Sequence, residues 1–137
     1  MNCEEECMVL SNPLAYGVTL VAVAGVFALF HLLIIVGIVP DTIVWGGRVN
    51  DRQKLVAMEV VSLSTILLTG AVGFIRAIQL AQGDVFLLTT ILSWLFFVIF
   101  VMNTIGNLLA KTAFERFAFT PVTLILAYIF LRLALAG

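Results

Sequence analysis

Charge is what this sequence has least of. Lys, Arg, Asp and Glu make up 11% of its 137 residues, against about 25% in soluble domains. A chain this poor in charge cannot cover a folded surface with polar groups, which excludes an ordinary soluble domain. Its net charge of −1 offers no basic surplus to a phosphate backbone, so nucleic acid is not an expected partner. Motifs of common chemistry are missing too: there is no P-loop, GxSxG, HExxH or paired-carboxylate metal motif. Histidine occurs once, as His31. That residue and one carboxylate give two ligands where zinc normally takes three or four, so no metal and no cofactor is expected. The basic n-region of a cleavable signal peptide is absent, because the chain starts "MNCEEEC". Cys3 and Cys7 in that acidic tail could form a disulfide or hold a soft metal, or belong to a plain acidic tail.

What the sequence has in abundance is apolar surface: 63% of its residues are hydrophobic. A membrane helix needs about 20 apolar residues. Stretches at about 14–39, 51–80, 85–110 and 118–136 qualify, and they fill a single membrane domain over 1–137. Pro40 closes the first stretch, and Asn50 or Asp51 caps the second. The fourth starts at Thr120 if that residue is the N-cap and Pro121 the first helical residue. In the competing reading, helix runs through Ala113–Ala118 and Pro121 bends it. Short connections make neighbouring helices antiparallel. The expected fold class is therefore all-α integral membrane, an up-down four-helix transmembrane bundle. Arg48, Arg52, Lys54, Lys111 and Arg116 fall at loops on one side, whereas Arg76 and Arg132 lie nearer the other. The positive-inside rule makes the first side cytoplasmic and puts both termini outside.

An ionisable group inside a membrane helix costs about 2.5–3.5 kcal/mol on insertion scales, so each asks for a reason. His31 sits roughly 12 Å from the cytoplasmic end of the first stretch at 1.5 Å rise per residue. Glu59 lies about two turns into the second. Asn103 and Asn107, four apart, share a face of the third. Thr123 opens the fourth. All five converge in the cytoplasmic half of the membrane and form a candidate polar pocket. Small residues continue the same faces, with Gly17, Ala24 and Ala28 below His31 and Gly70 and Gly73 beyond Glu59, and such residues let helices approach closely. Asn, Thr and a neutral His could be interhelical hydrogen-bond glue, with Glu59 reaching water, Arg52 or Lys54. Alternatively, Glu59 and His31 form a proton-exchanging pair in a pocket. Arg76 and Arg132 are candidate anion or headgroup contacts, by snorkelling. Tyr128, one turn before Arg132, is placed to position it. Trp45 belongs in an interfacial turn, and Trp94 needs a packing partner inside its helix.

The stretches "WGGR" (Trp45-Gly46-Gly47-Arg48) and "NTIGN" (Asn103 to Asn107) carry a resemblance. The chain resembles a group of small four-helix bacterial inner-membrane proteins over nearly its whole length. That resemblance implies a bacterial inner-membrane location and carries no activity or functional residue with it. The expected function is a small non-enzymatic membrane module that either assembles with itself or another protein, or passes a small solute or proton as an oligomer. Its expected partners are the lipid bilayer and a second copy or another membrane protein. A membrane-embedded enzyme using Glu59 and His31 on a lipid-like substrate, and a purely structural or partner-binding subunit, are the alternatives.

Overall fold

A computed structural model describes residues 12–40, 44–45, 49 and 51–136. The expectations for Cys3, Cys7, Gly46, Gly47, Arg48 and Asn50 lie outside these residues. The described chain is helical: α1 (Pro13–Ile35), α2 (Arg52–Gln82), α3 (Leu87–Leu108), a π-helical turn (Glu115–Phe119) and α4 (Thr120–Leu135). Four segments, Pro13–Ile35, Arg52–Gln82, Leu87–Leu108 and Glu115–Leu135, are long and apolar enough to cross a membrane. Outward-facing Val26, Leu29, Leu67, Leu88 and Val98 are each more than half exposed, as residues facing hydrocarbon would be.

Local chemistry sets the helix ends. Asn12 caps α1 through Leu14 N–H at 3.0 Å with Pro13 in the first turn. Here the end of α1 departs from expectation, because the helix stops at Ile35 rather than running on to Val39. Gly37 takes φ +84, and its N–H and that of Ile38 turn back to the carbonyls of Ile34 and Leu33. This left-handed closure at a glycine terminates the helix three residues before Pro40 can. Asp51 caps α2, accepting from Gln53 N–H at 2.9 Å, and Gly83 (φ +79) closes it.

Of the two readings of the last span's start, the structure has the one with helix through Ala113–Ala118. Thr120 has helical φ −57 and ψ −51 and is not an N-cap. Helix runs unbroken from Ala113 through Pro121. Its cap is Thr112, whose Oγ1 accepts from Glu115 N–H at 3.3 Å and donates to Glu115 Oε2 at 2.6 Å. Proline inside a helix lacks a donor and clashes with the carbonyl four residues back. The π-turn immediately before it accommodates this locally.

α1 packs antiparallel on α2 and α3 on α4. In the first pair Gly17 meets Ala77, Gly70 meets Ala24 and Gly73 meets Leu20. In the second, Phe130 stacks on Phe96 and Phe100 at ring separations of 5.0 and 5.9 Å. One core joins the pairs around Leu20, Ile66, Leu126 and Phe130. Contacts between the two hairpins are sparser than within them. The space left between them holds the site.

Candidate functional site

Glu59 faces inward from α2 and is 1% exposed. Across from it on α1, His31 Nδ1 lies 2.5 Å from Glu59 Oε2. Trp45 Nε1–H donates to Glu59 Oε1 at 2.6 Å. Both carboxylate oxygens are therefore engaged, one by an imidazole that can gain or lose a proton and one by an indole that can only donate. Holding Nδ1 against the carboxylate leaves Nε2 as the ring nitrogen for a ligand. Trp45 achieves its reach with φ +53, the one non-glycine in the left-handed region among the described residues, a conformation that costs of order 1–3 kcal/mol. Its neighbour Val44 is buried against Ile34 and Leu55, which fixes the loop beneath the site.

Two expectations give way here. Glu59 does not pair with Arg52, whose guanidinium donates instead to the carbonyls of Ile34 and Ile35 at 3.2 and 2.5 Å, capping the exposed end of α1. Trp45 does not only mark the interface, because its indole N–H turns onto Glu59. With α1 ending at Ile35, His31 also lies about 6 Å from the helix end at 1.5 Å per residue, half the expected depth.

The five residues of the candidate pocket, His31, Glu59, Asn103, Asn107 and Thr123, all line one cavity of about 410 Å³ between the hairpins. Phe27, Phe30, Phe100 and Phe119 supply apolar wall, and Glu115 adds a second carboxylate. Beside it lies a cavity of about 350 Å³, lined partly by Met102, Gly106 and Leu109. Trp45, Asn103, Asn107 and Glu115 line both. Thr123 Oγ1 accepts from Thr104 Oγ1 at 3.0 Å and from Asn107 Nδ2 at 3.4 Å, and itself reaches the carbonyls of Phe119 and Thr120. Asn107 and Thr123 thus also stitch α3 to α4, as glue would.

No family model, curated protein or solved structure matches the chain. The site is read from its own chemistry.

Sequence reasoning missed Trp45 and Glu115 as members of the site. Nothing in the residue order signals the backbone turn that aims Trp45, whereas Glu115 was legible: Thr112-x-x-Glu115 is a capping-box spacing that places the carboxylate one turn into a helix. The other end of the bundle differs. Arg76, expected to snorkel outward, is fully buried. Its Nε donates to Leu133 O at 3.2 Å, one of the carbonyls left open at the end of α4. Arg132 Nη1 donates to Tyr128 Oη at 3.2 Å, the partner its spacing suggested, and Trp94 packs edge-on against Phe97 at 5.8 Å.

Proposed function

We propose that this protein is a proton-coupled small-solute carrier of the bacterial cytoplasmic membrane. It is an up-down transmembrane bundle that acts as a homo-oligomer. Loops α1–α2 and α3–α4 face the cytoplasm and both termini face outward. The charge asymmetry supports the orientation, with Arg48, Arg52, Lys54, Lys111 and Arg116 at one end. The observation that carries the reading is Glu59, 1% exposed in the wall of a 410 Å³ cavity and bonded to the only histidine. Interhelical glue needs no carboxylate, since Gln or Ser serves without the cost of ionisation. A cavity within the usual 300–1,000 Å³ range of ligand sites that exchanges a proton through one wall has the parts of a coupled carrier. Solute enters past Trp45 and Asn103, which line both cavities, and the Glu59–His31 pair trades a proton as it arrives.

The test is proteoliposomes with a pH dye inside and imposed gradients of a panel of small cations, anions and neutral solutes. At least one solute gradient is expected to move protons beyond the empty-vesicle rate, and Glu59→Gln to abolish that movement while the helical circular dichroism is kept. Proton movement equal in native, Glu59→Gln and empty vesicles across the panel overturns the reading. A second reading, acid–base catalysis on a lipid-like substrate, is favoured by the apolar wall around Phe27, Phe30 and Phe100 beside the pair. Turnover of a membrane lipid by purified protein with no gradient present would select it.

A further inference from the structure

The end of the bundle away from the pocket carries two arginines, and the fold uses them differently. Arg76 is fully buried with its Nε on Leu133 O, out of reach of lipid. Arg132 is half-buried on the rim of α4. Its Nη1 donates to Tyr128 Oη at 3.2 Å, and the Tyr128 hydroxyl is also hydrogen-bonded to that of Tyr16 on α1. Nη1 is thus tied down, while the other edge of the guanidinium, Nε with Nη2, meets no acceptor among the described residues. The described carboxylate at this end, Asp84 in the α2–α3 turn, forms no ion pair with it. Such an edge offers two parallel N–H donors, the arrangement that takes two oxygens of one phosphate.

Depth and the surface beneath the arginine say where that phosphate comes from. Arg132 lies three residues before the end of α4 and Tyr16 three residues after the start of α1, about 5 Å from each helix end at 1.5 Å per residue. That is headgroup level, where arginine and tyrosine side chains of membrane helices settle. Towards the bilayer centre the same face of α4 continues as Leu124 and Ile125, 58% and 53% exposed, one turn below Tyr128 at 44%. Apolar surface leading to a phenol and then to a guanidinium edge suits an acyl chain leading to a phosphate. A soluble phosphate would gain nothing from the apolar part.

We propose that Arg132, positioned by Tyr128 and Tyr16, binds the phosphate of an anionic phospholipid whose acyl chain lies along Leu124 and Ile125. No described carboxylate balances this cation, so a headgroup of net negative charge is favoured over a zwitterionic one. Tyr16 belongs to one hairpin and Tyr128 and Arg132 to the other, so the headgroup sits on the seam between them. The inference needs a bilayer around the bundle and does not depend on the carrier reading.

The experiment is native mass spectrometry of the full chain, delipidated and then titrated with phosphatidylglycerol or with phosphatidylcholine of the same acyl chains. One phosphatidylglycerol is expected to be held at least about tenfold more tightly than phosphatidylcholine. Arg132→Gln is expected to weaken it at least about threefold. Arg132→Lys, which keeps the charge but loses the paired edge, and Tyr128→Phe, which removes only the hydroxyl, are expected to weaken it as well. Lys111→Gln removes a positive charge at the opposite end and is expected to leave this lipid in place. Each variant is scored by its preference for phosphatidylglycerol over phosphatidylcholine, because a general loss of fold weakens both lipids alike. No such preference in the native chain, equal losses in Arg132→Gln and Lys111→Gln, or undiminished binding by Arg132→Lys overturns the proposal. Displacement of the lipid by an equal concentration of inorganic phosphate overturns it too, by making the ligand a soluble anion.

Discussion

At the scale of single residues, the behaviour of Glu59 is set by two partners of different kinds. Trp45 donates and cannot accept, so it holds Oε1 as an acceptor. His31 Nδ1, which can donate or accept according to its tautomer, meets the other oxygen. Trp45→Phe keeps the ring in the chamber wall and removes only the donor. It leaves a buried carboxylate oxygen without its hydrogen bond, which costs about 1–3 kcal/mol. Thermal unfolding of the detergent-solubilised protein is expected to show that loss, and combining Trp45→Phe with Glu59→Gln to cost less than the two single losses added. Strict additivity would mean that the indole and carboxylate do not interact. The residues themselves explain what could be read here beforehand. His31, Glu59, Asn103, Asn107 and Thr123 were legible as polar side chains at helical spacing in apolar runs. Trp45 was not, because a φ of +53 at a tryptophan has no sequence signature, and a loop aromatic beside two glycines reads as an interface marker.

At the scale of elements, the helix ends share one device. Arg52 donates to the last carbonyls of α1, Arg116 Nη2 to Ala110 O at 2.8 Å just past α3, and Arg76 to Leu133 O in α4. In each case a cation meets the negative end of a helix dipole. Several of the few charges in this chain are thus also end caps, which a count of positive residues per loop does not reveal. The four apolar stretches were legible from hydropathy, but their ends were decided by single residues. Gly37 outranked Pro40 because a left-handed closure acts before a proline can, and Pro121 failed to start a helix because the π-turn absorbed it. The small residues between α1 and α2 give a sharper test. A Cβ on Gly17 would sit 2.6 Å from Ala77 Cβ, an atom that cannot move without its backbone, whereas one on Gly25 meets nothing within 4 Å. Gly17→Ala is therefore expected to cost about 1–3 kcal/mol by overpacking. Gly25→Ala, in the same helix, should be neutral or stabilising by about 0.5–1 kcal/mol. Similar unfolding midpoints for the two variants would contradict the close approach of α1 to α2.

At the scale of the whole molecule, the candidate pocket lies at one end of the bundle and buried Arg76 at the other. The other end is closed by Phe130 stacked on Phe96 and by Gly17 and Gly73 packed against α2 and α1. A carrier must open to both sides of the membrane, and a bundle shut by rings and close helix contacts at one end cannot do so by side-chain movement alone. On the carrier reading proposed above, the sparse seam between the hairpins is where it would open, by one hairpin rocking against the other. If loops α1–α2 and α3–α4 are inside, the chamber opens inward and the tight end is the outer gate. A reporter enzyme active only outside the cytoplasm, fused after Gly137, is then expected to be active, and the same enzyme inserted between Gly46 and Gly47 to be silent. Moving charge tests the cause of that orientation. Replacing Arg48, Arg52 and Lys54 with Gln removes three of the five positive charges at that end, leaving Lys111 and Arg116 there against Arg76 and Arg132 at the other. With the bias gone, the C-terminal fusion is expected to fall to a mixture of active and silent forms. An unchanged reporter would show that features other than loop charge orient the bundle, whereas activity at the inserted site in the native chain would turn the chamber to face outward.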